Sequence, residues 1–357
     1  MNALLFSYHF PELRIVFPQN VQPLLKHAAH GNTGINMKVF VTRIISPTGI
    51  KLLEDAGHTV TQHTEKRELT QEELINICKD YDGLMSSGPN RLDEYFFTQC
   101  SNLKAICLLS VGYDNADIEA ATRLRMQIGH TPGVLSDATA DTAFLLMLAV
   151  SRKAFYLHDR IAKGEWGFFE PTANLGTALK GKTLGIFGLG KIGLELAKKC
   201  IGAYGMNVIY HNRNRNEEAE KMLGAYYASF DELLAQSDVL SLHANLTAET
   251  RGLFDKNAFN KMKPSSIFIN TARGAMHNEE DLIAALQNNT IWGAGLDVTN
   301  PEPMDKNNPL LQMPNACVLP HIGTATYETR EAMVIIAAQN IIAGLKGERM
   351  PFAVNAF

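Results

Sequence analysis

Three polar residues in the last third of the chain each follow, or lie in the loop beyond, a short apolar run. Arg273 lies in the segment NTARG, Glu302 in GLDVTNPEP and His321 in VLPHIGTAT. A guanidinium can hold a carboxylate through paired hydrogen bonds and polarise a nearby ketone. An imidazolium can give a proton to the alkoxide that then forms, and a neighbouring carboxylate can orient the ring and favour its protonated form. Each residue alone also has an ordinary structural explanation, so it is the combination that predicts ketone reduction.

The elements that carry these residues are predicted to be strands of one parallel sheet. The runs SSIFINTA, GAGLDV and ACVLP are short, apolar and bounded by turn residues, which is typical of strands that are buried on both faces. The carboxyl ends of parallel strands meet at one edge of a sheet, and ligands of open α/β sheets bind outside that edge. We therefore expect Arg273, Glu302 and His321 to converge there.

Alternating strand and helix patterns along the chain predict an α/β fold with two Rossmann-like, doubly wound parallel-sheet domains. One series starts at MKVFVTR from Met37, and a second starts at KTLGIFGLG. An apolar helix at about 137–152 is expected to join them. The periodic segment YETREAMVIIAAQNIIAGLKGE is expected to return to the first domain, which makes that domain discontinuous. Residues 1–36 lack a clean pattern and are expected to be a poorly ordered extension.

The segment GLGKIG (188–193) is a motif for a dinucleotide. It follows the strand TLGIF and opens the helix KIGLELAKKCIGAYG, which is the context that such a glycine-rich turn requires. Gly188 permits the tight turn, Gly190 lets the backbone approach a pyrophosphate, and Gly193 lets the helix pack closely on the strand. The amino end of the helix then offers N–H groups and the positive end of its dipole to the phosphates.

The residues after the next strand, NVIYH, indicate which dinucleotide is bound. Sites for NAD usually have an aspartate or glutamate there, which accepts hydrogen bonds from the adenosine ribose. This chain has Asn212, followed by Arg213 and Arg215. A guanidinium can bind the 2′-phosphate of NADP, which a carboxylate would repel. The pattern favours NADPH, with NADH as the other possible cofactor, although both arginines are also compatible with a solvated loop.

Composition limits the class of protein. The chain has 357 residues, of which 46% are hydrophobic and 20% charged, as is typical of a globular protein of two domains. The formal net charge of −4 does not indicate a nucleic-acid partner. The longest apolar run, TAFLLMLAV, is shorter than the ~20 residues that span a bilayer, so no membrane association is expected. Five scattered cysteines predict reduced thiols, no bound metal and a cytoplasmic location.

From Met37 to about Gly347, the sequence resembles the D-isomer-specific 2-hydroxyacid dehydrogenases. The matching segments are LLSVGYDNAD, TPGVLSDATADTAFLLMLA, LKGKTLGIFGLGKIG, NTARG, GLDVTNPEP and PHIGTATYETREAM. The sequence looks closest to the glyoxylate/hydroxypyruvate reductase and 2-ketogluconate reductase branch of that family. The resemblance implies a substrate domain formed by residues 37–136 and 322–357, and a dinucleotide-binding domain formed by residues 137–321.

The resemblance also implies roles for individual residues. The family's catalytic set falls on Arg273, Glu302 and His321. The residues implied to contact the substrate are Ser110, Val111, Gly112, Arg273 and Thr324, the first three through a loop whose backbone N–H groups bind a carboxylate. The residues implied to bind the cofactor are Gly188, Leu189, Gly190, Lys191, Ile192, Gly193, Asn212, Arg213, Arg215, Thr247, Thr271, Ala272, Asp297 and Gly323. The loop of Thr247 departs from the family, because Asn245 replaces its usual proline.

We therefore expect a reductase that uses NADPH to convert a small 2-oxo acid, glyoxylate or hydroxypyruvate, into a D-2-hydroxy acid, with His321 as the proton donor. A 2-ketogluconate reductase or another dehydrogenase of the family is an alternative activity. A dinucleotide-sensing scaffold of the C-terminal binding protein type, which shares the fold, is an alternative from another class. A homodimer is expected, since the segment GEWGFFEP matches a region that crosses between subunits in similar dimers.

Overall fold

The computed structural model describes residues 36–357, so the expected extension at the amino terminus lies outside the described residues. The chain divides into two compact units. Unit 1 comprises the residues up to Val134 together with Thr326–Phe357, and unit 2 comprises Leu135–Ala325. Every strand pairing in both units is parallel, which confirms the predicted α/β class of two doubly wound parallel sheets.

Unit 1 begins with a five-stranded sheet in the order β2-β1-β3-β4-β5. Its elements are β1 (Lys38–Val41), α1 (Pro47–Asp55), β2 (Thr59–Gln62), α2 (Gln71–Cys78), β3 (Gly83–Ser86), α3 (Glu94–Gln99), β4 (Ala105–Leu108), α4 (Ile118–Arg123) and β5 (Ile128–Gly129). Local sequence sets the helix starts. Thr70 and Glu73 form a reciprocal capping box at α2, and the side chains of Asp93 and Asp117 accept N–H groups at the starts of α3 and α4.

Unit 2 has a seven-stranded sheet in the order β12-β11-β10-β9-β6-β7-β8. Its elements are α5 (Ser136–Ser151), α6 (Ala154–Ala162), β6 (Thr183–Phe187), α7 (Lys191–Tyr204), β7 (Asn207–His211), α8 (Glu217–Leu223), β8 (Tyr226–Tyr227), α9 (Phe230–Gln236), β9 (Val239–Leu242), α10 (Lys256–Lys261), β10 (Ile267–Asn270), α11 (Glu279–Gln287), β11 (Gly293–Leu296) and β12 (Ala316–Val318). Short 3-10 helices cover Gly274–Met276 and Pro309–Gln312.

The last helix, α12 (Tyr327–Leu345), packs within unit 1. It lies so close to α1 that a Cβ placed at Gly49 would stand 2.0 Å from Cγ1 of Val334. The buried amide of Asn340 donates to the carbonyl of His130 at 2.9 Å and accepts the N–H of Phe352 at 3.0 Å. These buried hydrogen bonds fix the register of α12 against the sheet because an unpaired amide there would be costly.

Alternate residues of the central strands in unit 2 pack on opposite faces of the sheet, as the period of a strand requires. Ile267 and Ile269 join one apolar cluster with side chains of α5 and α7. Phe268, between them, joins a second cluster with side chains of α9, α10 and α11. Both faces are therefore covered, which is why the run SSIFI is apolar throughout.

Two strands, β5 and β8, are not anticipated by the sequence analysis. Each has two residues, which is too short for a pattern of alternation to be recognised. The helix expected at about 137–152 is observed as α5.

Within residues 36–357, no helix is long and apolar enough to cross a membrane. The same residues contain no cluster of three or more His, Cys, Asp or Glu side chains that could hold a metal ion. All five cysteines are buried free thiols.

Candidate functional site

The candidate site lies at the carboxyl edge of the sheet in unit 2. The chain order of its strands reverses between β6 and β9, which are hydrogen-bonded neighbours. Such a switch point is where ligands bind in open α/β sheets. The residues proposed for catalysis follow β10, β11 and β12, and those proposed for the cofactor follow β6, β7 and β9 as well as these three strands. Since all these strands are parallel, their following loops leave from the same edge.

The turn after β10 presents Arg273. The buried side chain of Asn270 accepts the N–H of Ala272 at 3.0 Å and donates to the carbonyl of Arg273 at 2.9 Å, which closes the turn. The guanidinium of Arg273 donates to the carbonyl of Ala272 at 2.8 Å. At the next position only glycine fits, because a Cβ at Gly274 would stand 2.0 Å from the carbonyl oxygen of Thr299. The turns that follow β10 and β11 are therefore in direct backbone contact.

Glu302 and His321 form a hydrogen-bonded pair. Nδ1 of His321 lies 3.0 Å from Oε2 of Glu302, whose other oxygen accepts the N–H of Thr299 at 3.0 Å. Partial desolvation alone would raise the pKa of Glu302, but the hydrogen bond and charge of His321, with the charge of Arg273, hold that pKa below its usual value. The ionised carboxylate can only accept, so Nδ1 of His321 carries the proton and Nε2 is the nitrogen that can exchange a proton with a ligand.

Asp297 holds the loop that carries His321. The carboxylate is buried, and its two oxygens accept the N–H groups of Ile322 and Gly323, both at 2.8 Å. Its own carbonyl accepts the N–H of His321 at 2.9 Å. Burial raises the pKa of Asp297 despite these hydrogen bonds. The family resemblance groups Asp297 and Gly323 with the cofactor-binding residues, and in this structure the two residues also bind each other. Thr324, the next residue, is half-buried.

Of the three glycines in the turn between β6 and α7, only Gly190 has open space where a side chain would stand. Gly188 has φ of +97°, and a Cβ there would stand 2.5 Å from the backbone nitrogen of Ala244. A Cβ at Gly193 would stand 2.9 Å from the carbonyl oxygen of Gly188. At Gly190, by contrast, none of the described residues other than Gly190 itself and its two chain neighbours has an atom within 4 Å of such a Cβ. The open space in front of Gly190, at the amino end of α7, fits the pyrophosphate of a dinucleotide.

The neighbours of Gly190 are arranged accordingly. Leu189 is buried beneath the turn, while Lys191 is exposed and Ile192 half-buried in the first turn of α7. Gly190 is the N-cap of that helix and supplies no side chain to its amino end. The first N–H groups of α7 are therefore not capped by a side chain of their own N-cap residue, which suits an anionic ligand.

The segment after β7 binds the glycine-rich turn and carries two arginines. Oδ1 of Asn212 accepts the N–H of Leu189 at 2.6 Å. Arg213 is exposed. Arg215 donates to both carboxylate oxygens of Glu220, from Nε at 3.0 Å and from Nη2 at 2.6 Å. Glu220 also accepts from the hydroxyl of Tyr210 at 2.6 Å, and these bonds lower the pKa of Glu220 to about 2. The sequence analysis missed Glu220, whose position five residues beyond Arg215 on α8 is the available signal.

The segment after β9 supplies a second group of residues that the sequence analysis did not assign. Nε2 of His243 lies 2.9 Å from Oγ of Ser241, and its Nδ1 lies 3.4 Å from Oγ1 of Thr271. Desolvation lowers the pKa of His243 to about 3, so the ring is neutral. Its place directly after the apolar run SDVLSL is the signal that could have found it. Thr247 lies further on, in a turn where its N–H donates to Oγ1 of Thr250 at 2.8 Å.

The loop implied to bind a substrate carboxylate lies in unit 1, after β4. Oγ of Ser110 donates to the carbonyl of Gly112 at 2.6 Å. The carbonyl of Ser110 accepts the N–H of Thr131 at 2.9 Å, and the carbonyl of Val111 lies 3.1 Å from Nδ1 of His130. These bonds hold the carbonyl groups of the loop in fixed directions.

Comparison with known proteins connects this architecture with one family. The family model for the NAD binding domain of D-isomer specific 2-hydroxyacid dehydrogenases matches residues 144–323. A glyoxylate reductase of Thermococcus litoralis is 42% identical over 89% of this chain and 96% of its own length. A glyoxylate/hydroxypyruvate reductase B of Salmonella schwarzengrund is 40% identical over 84% of this chain and 93% of its own.

Solved structures with the same fold also match this chain. One is an NADPH-dependent glyoxylate/hydroxypyruvate reductase from Sinorhizobium meliloti in complex with NADP and malonate. It superposes with a TM-score of 0.75 at 30% identity and covers 90% of this chain and 99% of its own. The matches extend over both units of the chain. The residues matched by the family model, 144–323, include β6 to β12 and the loops of the candidate site. The chain therefore belongs to the D-isomer specific 2-hydroxyacid dehydrogenases, oxidoreductases that use a nicotinamide dinucleotide.

Proposed function

We propose that this protein is an NADPH-preferring reductase of small 2-oxo acids, with glyoxylate and hydroxypyruvate as its substrates and D-2-hydroxy acids as products. The observation that carries the proposal is the hydrogen bond between His321 and Glu302 beside the charge of Arg273. This arrangement places an oriented proton donor, His321, and a cation, Arg273, at the same edge of the sheet. The identity to glyoxylate reductases over nearly nine-tenths of the chain supports the choice of substrate.

In this proposal each residue has one task. When bound, the reduced nicotinamide supplies a hydride to the carbonyl carbon of the substrate. Arg273 holds the substrate carboxylate through its planar guanidinium and polarises the ketone. Nε2 of His321 gives its proton to the ketone oxygen, and the ionised Glu302 stabilises the positive ring before the transfer. The loop of Ser110, Val111 and Gly112 offers backbone N–H groups as a second carboxylate-binding element.

The preference for NADPH rests on charge. No acidic side chain directly follows β7, where Asn212 instead binds the glycine-rich turn. Arg213 and Arg215 then place two cations in the segment that would face the adenosine ribose, and a 2′-phosphate would be bound by charge-assisted hydrogen bonds. Arg215 must exchange its pairing with Glu220 for the phosphate, so Arg213 is proposed as the primary contact.

We also propose that the protein acts as a homodimer. Trp166 and Phe168 are 79% and 90% exposed on the segment between α6 and β6, although exposed aromatic side chains of this size are costly in water. A second copy of the chain would cover them.

The first experiment is an assay of NADPH oxidation with glyoxylate, hydroxypyruvate and 2-ketogluconate in parallel, and NADH as the control. We expect turnover with glyoxylate and hydroxypyruvate and a higher kcat/KM for NADPH than for NADH. Turnover with 2-ketogluconate alone would reassign the substrate within the family. Tight dinucleotide binding without turnover of any 2-oxo acid would reject the reductase in favour of a dinucleotide-sensing scaffold.

A further inference from the structure

Asn270 and His277 form a buried polar pair directly behind Arg273. Their exposed fractions are 0% and 3%. Nδ2 of Asn270 lies 3.1 Å from Nδ1 of His277 and 2.9 Å from the carbonyl oxygen of Arg273, while its Oδ1 accepts the N–H of Ala272. The proposed reaction uses neither side chain, although most buried polar atoms in proteins have a hydrogen-bond partner.

The protonation of this pair follows from its geometry. The amide nitrogen can only donate, so Nδ1 of His277 must accept and the ring proton must be on Nε2. The two amide hydrogens are then both used, one on His277 and one on Arg273. The reversed amide would bring Oδ1 of Asn270 against the carbonyl oxygen of Arg273, which is repulsive. The acceptor on His277 therefore adds a third hydrogen bond to the amide orientation that closes the turn.

The surroundings keep His277 in the form that accepts. Burial lowers the pKa of His277 to about 4, so the ring is neutral at physiological pH. Its ring packs edge-on against Phe268 with centroids 5.8 Å apart, and its backbone pairs with that of Phe254. Nε2 is buried with no hydrogen-bond partner among the described residues. The unpaired N–H at Nε2 of His277 costs free energy of folding. That the residue is nevertheless a histidine indicates that the hydrogen bond accepted by its Nδ1 matters.

We infer that Asn270 and His277 are positioning residues that fix the backbone turn of residues 271–273 and so direct the guanidinium of Arg273 towards the substrate carboxylate. This inference rests on the proposed function of Arg273. A purely structural role predicts that loss of the pair weakens every property of the enzyme alike. A positioning role predicts that the loss acts on the 2-oxo acid, and only while Arg273 is present.

The test is a double-mutant cycle between Asn270→Ala and Arg273→Met, with the binding of oxamate as its readout. Oxamate is an analogue of a 2-oxo acid that is not reduced, and its Kd can be measured by titrating the enzyme loaded with NADPH, without turnover. We expect Asn270→Ala to raise the oxamate Kd about tenfold in the otherwise unchanged protein and less than about twofold beside Arg273→Met. Any change in the Kd of NADPH, whose implied contacts Thr271 and Ala272 lie in the same turn, should be the same in both backgrounds. His277→Phe, which keeps the ring shape but removes the acceptor, should behave like Asn270→Ala.

Asn315→Ala is the matched control. Its amide also donates to backbone carbonyls of unit 2, those of Trp292 and Leu286, but it lies at the amino end of β12. It should leave the oxamate Kd unchanged. If Asn270→Ala does not fold, Asn270→Asp takes its place, since the carboxylate can still accept the N–H of Ala272 but cannot donate to Arg273.

The outcomes are distinguishable. An equal effect of Asn270→Ala on the oxamate Kd in both backgrounds would overturn the positioning role and leave the proposed function intact. Unchanged oxamate binding in Arg273→Met would overturn both. Independently, ¹⁵N chemical shifts of His277 should show a proton on Nε2, and a proton on Nδ1 would overturn the inference in the unmodified protein.

Discussion

Nδ1 of His321 and Oε2 of Glu302 lie 3.0 Å apart, and the backbone N–H of Thr299 holds the same carboxylate from its other oxygen. The carboxylate therefore cannot turn away from the ring without losing two hydrogen bonds. His321 itself has φ of +54°, a left-handed conformation that few non-glycine residues adopt, and the carbonyl of Asp297 accepts its N–H. Two contacts thus fix the direction of the His321 side chain, one from its backbone N–H to Asp297 and one from its ring to Glu302.

We predict that His321→Gln lowers kcat by about 10²- to 10⁴-fold, the usual contribution of a positioned acid, while the Kd of NADPH stays unchanged. Glu302→Gln should also lower kcat, but by less, because the amide oxygen still accepts from Nδ1 of His321 and only the charge that stabilises the positive ring is lost. Steady-state rates and dinucleotide titration check both variants. An unaltered kcat in Glu302→Gln would contradict the assigned task of Glu302.

Gly190→Ala and Gly188→Ala should separate binding from folding. Gly190 has open space in front of it, so an added methyl group should leave the thermal midpoint nearly unchanged but obstruct the pyrophosphate and raise the Kd of NADPH by roughly tenfold or more. Gly188 has φ of +97° and no space, so Gly188→Ala should lower the stability of the fold itself. Thermal unfolding and dinucleotide titration check the pair. Unimpaired dinucleotide binding by Gly190→Ala would place the pyrophosphate elsewhere.

Glu220→Gln should strengthen the preference for NADPH. In the structure Glu220 holds Arg215 through two hydrogen bonds, and it must release the guanidinium before Arg215 can add to the contact that Arg213 makes with a 2′-phosphate. We expect a lower KM for NADPH in Glu220→Gln and an unchanged KM for NADH. Arg213→Gln should raise the KM for NADPH by about tenfold or more, since it removes a charge-assisted hydrogen bond. Equal changes for both cofactors would show that these residues act on folding of the loop and not on the phosphate.

Acid should destabilise unit 2 through its buried histidines. The pKa of His277 falls from 6.5 to about 4 on folding, so between these values the unfolded chain binds a proton that the folded chain does not. The free energy of unfolding should therefore fall as pH drops through this window, by about 1.4 kcal/mol per pH unit for this one residue. His277→Gln should reduce that slope, and Asn315→Ala, which removes no titratable group, should not. Denaturant unfolding between pH 7 and pH 4 provides the comparison, and identical slopes in all three proteins would disprove this origin.

Exposed aromatic side chains between α6 and β6 should control association. The double change Trp166→Ser and Phe168→Ser should shift the mass measured by light scattering from dimer to monomer, because it removes the apolar surface that a second copy would cover. Tyr226→Ser, at another exposed aromatic in unit 2, is the control and should not alter the mass. A monomer in the unmodified protein would reject the dimer.

Most of the fold was accessible from the sequence because its signals are local. The glycines of GLGKIG, the apolar runs before NTARG and PHIGTAT, and the capping residues each report on a few neighbouring residues. The strands β5 and β8 were not accessible, since two residues carry no period. Their existence depends on pairing with β4 and β7, which is a property of the assembled sheets.

The candidate site shows the same division. The placement of Arg273, Glu302 and His321 on one edge follows from the rule for parallel strands, and so it could be predicted. The contacts of Arg215 with Glu220 and of Asn270 with His277 were not predicted, because they depend on side-chain directions that the spacing of residues alone does not fix. The task of Asp297 is another example. Its carboxylate binds the loop of His321, and only burial and the positions of the N–H groups of Ile322 and Gly323 reveal this.

The hydrogen bond from the N–H of Leu189 to Asn212 holds the glycine-rich turn in shape, but it does not depend on which dinucleotide is bound. The N–H of Leu189 needs an oxygen at the end of β7, and an asparagine or an aspartate would each offer one. The glycine-rich turn can therefore keep its shape whichever of the two residues is present. A descendant of this protein could exchange its phosphorylated dinucleotide for the unphosphorylated one through position 212 and the arginines beside it, with the remainder of the turn inherited unaltered.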